Sequence, residues 1–109
     1  HNPRCSKSRT TLQLLKDNGI DPEIVLYLDT PPDADQLASI LQKLDMRPRD
    51  LMRKGQSEYK QMGLDNEQLG NDQLIAAMIE APILIERPIV LANDKARIGR
   101  PPESVLEIL

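Results

Sequence analysis

The sequence predicts an α/β fold interrupted by a helical insertion. Three observations carry this reading. A short apolar, partly β-branched stretch at residues 24–28 reads as a buried strand. Two further stretches, residues 88–92 and 95–98, flank the tight-turn pair Asn93-Asp94 and read as an antiparallel hairpin. Between these strands lie runs of helical periodicity over residues 30–85, and strands separated by helices point to an α/β core carrying an insertion.

Each element has its own local reason. Residues 8–18 form an expected helix with Thr11, Leu12 and Leu15 on one face, stopped by Gly19, which supplies a left-handed cap. Residues 24–28, Ile-Val-Leu-Tyr-Leu, are bounded by Asp21-Pro22 and by Asp29-Thr-Pro-Pro, the punctuation expected around a strand. Asp33 with Gln36 forms a capping-box pattern, opening a helix with Leu37, Ile40, Leu41 and Leu44 at helical spacing. Pro48 opens a short helical turn through Leu51, Met52, Arg53 and Lys54, ending before Gly55. Residues 56–71 are polar, anchored by Tyr59, Met62 and Leu64. Leu74, Ile75, Met78 and Ile79 mark another helix, stopped near Pro82. After the hairpin, Pro101-Pro-Glu opens a last helix with Val105, Leu106 and Leu109 on its buried face. No repeat, low-complexity tract or linker divides the chain, so residues 1–109 read as a single domain with a helical insertion at about 30–85.

Composition narrows the function. With 14 Lys+Arg against 17 Asp+Glu the net charge is −3, the wrong balance for a duplex-binding module or a polybasic membrane anchor. Two Tyr and no Phe or Trp leave few faces for stacking single-stranded bases, so no nucleic-acid partner is expected, and the core must be aliphatic. Apolar runs such as residues 24–28 are far too short to span a bilayer. One Cys and one His cannot build an internal disulfide or a closed metal centre, so no metal is expected. A soluble cytoplasmic protein is the resulting expectation. The chain opens on His1 rather than Met, and its first residues read as the end of a turn, so a segment is expected ahead of them.

Cys5 is the first candidate for chemistry. A lone Cys is more often a small buried hydrophobe than a nucleophile. Here, however, the first sixteen residues carry Arg4, Lys7, Arg9 and Lys16 and no acid, in a chain that is acidic overall. Cys5 also precedes a helix start, where free N–H groups and the positive dipole end favour an anion. Both effects stabilise the nucleophilic thiolate, and the same loop suits a bound oxyanion. Arg53, Arg87 and Arg100 stand beside helix starts and prolines. Read singly they are solvated surface arginines; read together they are convergent forks for a tetrahedral anion. His1 fits a base or cation for Cys5, or no role at all. Ser8 fits either a donor to the thiolate or a helix cap.

Five ordered segments resemble one family. They are His-Asn-Pro-Arg-Cys-Ser-Lys-Ser-Arg at residues 1–9, Tyr-Leu-Asp-Thr-Pro-Pro at 27–32, Leu-Met-Arg-Lys at 51–54, Glu-Arg-Pro-Ile-Val at 86–90 and Arg-Pro-Pro-Glu at 100–103. Their order and spacing resemble the glutaredoxin-linked arsenate reductase (ArsC) family from end to end. The resemblance implies a thioredoxin-like mixed sheet with a helical insertion, an opening strand ahead of His1 that this sequence lacks, and a cis peptide at Arg87-Pro88. It implies Cys5 as nucleophile, His1 and Ser8 as the residues that flank and stabilise the thiolate, and Arg53, Arg87 and Arg100 as the oxyanion-binding arginines. It further implies arsenate, or a similar oxyanion, as substrate, no bound cofactor, and glutathione and glutaredoxin as external reductants.

Cys-Ser-Lys-Ser stands where the best-known resistance enzymes carry Gly after the Cys, which resembles a chromosomal relative rather than a resistance-operon enzyme. The alternative on the same scaffold is a non-catalytic redox-sensing regulator or adaptor that binds RNA polymerase or another protein. Such regulators usually carry a second Cys two or three residues after the first, where this chain has Lys7 and Ser8.

Overall fold

The computed structural model describes all 109 residues. The chain divides into two compact units, one made of His1–Thr30 with Arg87–Leu109 and the other of Pro31–Glu86.

The first unit holds helix α1 (Ser6–Asp17), strands β1 (Ile89–Ala92) and β2 (Lys95–Ile98), and a closing 3-10 helix, Pro102–Ile108. Helix α1 ends as expected. Gly19 takes φ +77, which a residue without Cβ adopts freely, and the N–H groups of Gly19 and Ile20 close on Lys16 and Leu15 carbonyls. The hairpin also forms as expected, with Asn93 and Asp94 both at positive φ, so its two-residue turn matches the twist of the strands. Its register pairs Ile89 with Ile98 and Ala92 with Lys95. Both α1 and β2 pack on the 3-10 helix, and the core between these elements gathers Thr11, Leu15, Ala96, Val105 and Ile108.

Two expectations fail in this unit. Residues 24–28 are not a buried strand: Ile24, Val25, Leu26 and Leu28 are all exposed, and only Tyr27 is buried. An extended segment becomes a strand only when a neighbour takes its N–H and C=O groups. Here β1 pairs with β2 alone, antiparallel. Within 24–28, Val25 accepts a bond from the His1 nitrogen at 2.9 Å. The last helix also winds differently. It is 3-10, so positions three apart share a face, and Val105 and Ile108 are buried while Leu106 and Leu109 are exposed.

The second unit is helical, comprising α2 (Ala34–Leu44), α3 (Pro48–Leu51), α4 (Ser57–Gln61), α5 (Asn71–Glu80) and a short 3-10 turn, Pro82–Leu84. The capping box opens α2: Asp33 Oδ1 accepts from the Gln36 N–H at 2.8 Å, and Gln36 Oε1 accepts from the Asp33 N–H at 2.9 Å. Helix α5 packs on α2, α3 and the 3-10 turn, burying Leu37, Leu51, Met78 and Leu84 to 1% exposure or less. The turn opened by Pro48 is shorter than expected. It ends at Leu51, and Met52 instead forms an isolated antiparallel bridge with Ile85. The bridge is framed by Arg53 N–H on the Leu84 carbonyl at 2.7 Å and Glu86 N–H on the Leu51 carbonyl at 2.9 Å. Arg53 therefore sits just after this bridge, not on a helix.

Candidate active site

The loop around Cys5 is built by hydrogen bonds that begin at Asn2. The Asn2 carbonyl accepts the Cys5 N–H at 3.0 Å, and Asn2 Oδ1 accepts the Arg4 N–H at 3.0 Å. Asn2 is buried, and its N–H donates to Ser8 Oγ at 3.0 Å. Ser8 is fully buried, and its hydroxyl shares a second hydrogen bond with His1 Nδ1 at 2.7 Å. The turn is thus clamped to the first turn of α1 through one hydroxyl. Sequence reasoning missed Asn2, although an Asn ahead of a Pro-containing turn is a known signal for a side chain that bonds its own backbone two residues on.

Cys5 occupies the N-cap of α1 with extended backbone, φ −95 and ψ 123. No capping oxygen takes the first-turn N–H groups, and no acidic residue stands in that turn. Partial burial pushes the Cys5 thiol up, but the N–H groups of Ser8 and Lys7 and the charge and hydrogen bond of Arg87 outweigh it. The net result is a pKa below the ordinary thiol value. Arg100 adds a contact from Nη2 to the sulfur at 3.8 Å. Cys5 is the chain's one thiol, free and half-buried.

The hairpin explains why residues so far apart in sequence meet here. Extending its register beyond the Ile89 and Ile98 pair sets Pro88 opposite Gly99 and Arg87 opposite Arg100. The Gly99 N–H donates to the Pro88 carbonyl at 3.0 Å, and Arg100 Nε donates to the Arg87 carbonyl at 2.8 Å. The Arg87-Pro88 peptide is cis, as the resemblance implied, and so is Arg100-Pro101. The first unit accordingly brings together His1, Cys5, Ser8, Arg87 and Arg100.

Arg53 belongs to the second unit. Its guanidinium lies 4.0 Å from Glu86, and with Lys54 and Asp50 it lines an open depression of about 510 Å³. The nearby Arg49 has a different fate. It bonds Tyr59 Oη and the Leu64 and Asn66 carbonyls, tying α3 to the turns after it. Three bonds to fixed partners leave that arginine a fastener of this unit.

A family model described as the ArsC family matches residues 1–108. The chain belongs to the ArsC family. An uncharacterized protein of Escherichia coli K12, YfgD, is 58% identical over the whole of this ArsC chain and 92% of its own length. A Neisseria meningitidis protein named arsenate reductase is 53% identical, again over the whole chain and 94% of its own. Among solved structures, an arsenate reductase from Vibrio cholerae superposes with TM-score 0.97 at 52% identity, covering 100% of this chain and 93% of that one. The α/β fold is thus that of the ArsC thioredoxin-like proteins.

Proposed function

We propose that this protein is an arsenate reductase that uses Cys5 as its nucleophile and glutathione with glutaredoxin as its reductants. The observation that carries the reading is the Cys5 sulfur at the start of α1, facing the Lys7 and Ser8 N–H groups and the guanidinium groups of Arg87 and Arg100. Such donors hold a thiolate and would equally hold the oxygens of a tetrahedral anion beside it. The names of close relatives supply the substrate.

In the first step the thiolate attacks arsenic, a Cys5 sulfur–arsenic bond forms, and one arsenate oxygen leaves as water after protonation. Arg87 and Arg100 stabilise the charge on the remaining oxygens. The His1 and Ser8 pair fixes the loop that presents the sulfur. Glutathione then attacks the Cys5 sulfur, and the sulfur–arsenic electron pair passes to arsenic. Arsenic leaves as arsenite, reduced by two electrons, and a mixed disulfide remains on Cys5. A glutaredoxin thiol removes the glutathionyl group and restores the thiol. Arg53 is proposed as a third anion-binding fork, on the strength of the Leu-Met-Arg-Lys motif. The two units are read as one ArsC-like domain with Pro31–Glu86 as its insertion. A cytoplasmic location is part of the same proposal, supported by the reduced glutathione that the reaction would use.

The test uses the missing resolving thiol. With arsenate and glutathione but no glutaredoxin, intact-mass spectrometry is expected to find one glutathione on Cys5. Glutaredoxin should then clear it and release arsenite, and Cys5→Ser should abolish it. Equal glutathione addition without arsenate, or none at all, would overturn the reading and favour an adaptor on the same fold.

A further inference from the structure

We infer that Gly99 is a positioning residue for the anion site, its missing side chain letting the Pro88 and Gly99 backbones lie against α1 so that Arg87 and Arg100 reach Cys5. This deepens the reading of Cys5 chemistry and rests on it. Gly99 is buried. A Cβ placed on it would lie 2.5 Å from Thr11 Oγ1 and 2.8 Å from Pro88 Cγ, closer than real Cβ atoms approach anything, and 3.0 Å from Thr11 Cγ2. The requirement is one of space, since the φ of Gly99 lies outside the left-handed region.

Neither neighbour can step aside freely. Thr11 is 1% exposed, and its Oγ1 donates to the Lys7 carbonyl at 2.9 Å. That bond ties Thr11 to the same first turn whose N–H groups face the sulfur. Pro88 is buried and joined directly to Arg87. The Gly99 N–H holds the Pro88 carbonyl, and Arg100 follows as the next residue. A methyl group at position 99 therefore wedges α1 away from the strand ends that carry both arginines. The interior is packed too densely to absorb such a displacement without moving them.

Iodoacetamide alkylation of Cys5 across pH reads the arginine positions without requiring turnover, and arsenate kinetics run beside it. Gly99→Ala is expected to move the alkylation midpoint up by roughly one pH unit and to raise the arsenate KM about tenfold, because a thiolate and an anion lose the same donors. Thr11→Ala alone should leave both near wild type. Combining it with Gly99→Ala should recover part of the shift, the Pro88 contact remaining. A Gly99→Ala profile superimposable on wild type, or a shift that Thr11→Ala does not relieve, would overturn the inference. Should Gly99→Ala fail to fold, Thr11→Ile presses on the same contact from the helix side, and an unchanged profile in that folded variant would also overturn it. If the midpoint shifts as expected while the wild-type protein leaves arsenate unreduced, the positioning role stands and the arsenate reading falls.

Discussion

Arg100 donates through Nε to the backbone carbonyl of Arg87, at 2.8 Å, and reaches the Cys5 sulfur with Nη2. One fork is therefore spent partly on orientation and partly on charge. The main chain of one arginine sets the direction of the other, so the two respond together to any change in the hairpin.

The first prediction concerns pH. The Cys5 thiol is held below its ordinary value, about 8.5 in unperturbed peptides. Alkylation by iodoacetamide should therefore rise at lower pH than in the unfolded chain. An acid with a depressed folded pKa adds stability above its unfolded pKa, and this is lost as pH falls through the folded value. Cys5→Ser should accordingly flatten any gain in stability between neutral and alkaline pH, measured by denaturant titration.

The second prediction separates charge from geometry. Arg87→Lys and Arg100→Lys each keep the charge and lose the planar fork. Hydrogen bonds to charged groups are worth about 1.5–3 kcal/mol, so each change should raise the arsenate KM about tenfold or more. Arg87→Lys should also raise the alkylation midpoint, because Arg87 supplies both charge and a hydrogen bond to the Cys5 sulfur. Initial-rate kinetics with both variants folded by circular dichroism provide the check.

Arg53 gives a third test. Its backbone N–H bond to Leu84 survives Arg53→Lys, and the ion pair with Glu86 needs only charge. The variant should melt within a few degrees of wild type. If Arg53 grips substrate, arsenate turnover should fall several-fold. Unchanged turnover would leave it a partner of Glu86 and nothing more.

The fourth concerns the buried hydroxyl. Ser8→Ala strands the Asn2 N–H and the His1 ring, and an unsatisfied buried donor costs about 1–3 kcal/mol. Thermal unfolding should drop by several degrees. The alkylation midpoint should rise as well, because the loop presenting Cys5 loosens.

Much of this was legible in the amino acids because it is local. Gly19 stops α1, Asp33 and Gln36 open α2, and Asn93-Asp94 turns the hairpin, each through bonds within a few residues. The facing of Arg87 and Arg100 follows from counting back along the hairpin from that turn. What failed depends on partners that periodicity does not report. Residues 24–28 have strand composition but no strand beside them. An α-helical spacing puts Leu106 and Leu109 on the buried face, whereas a 3-10 helix selects Val105 and Ile108. Cys5 was readable from its basic, acid-free surroundings; Asn2 and Gly99 act through backbone contacts that composition does not reveal.

The threefold winding of the closing segment has a consequence for tolerance to change. With Val105 and Ile108 anchoring Pro102–Ile108, Leu106 between them faces solvent. Substitution should be tolerated more freely at Leu106 than at the two anchors, which are expected to stay aliphatic. The same arithmetic marks Leu106 as an attachment point for a fluorophore, where a label would report on the hairpin and α1 without disturbing either.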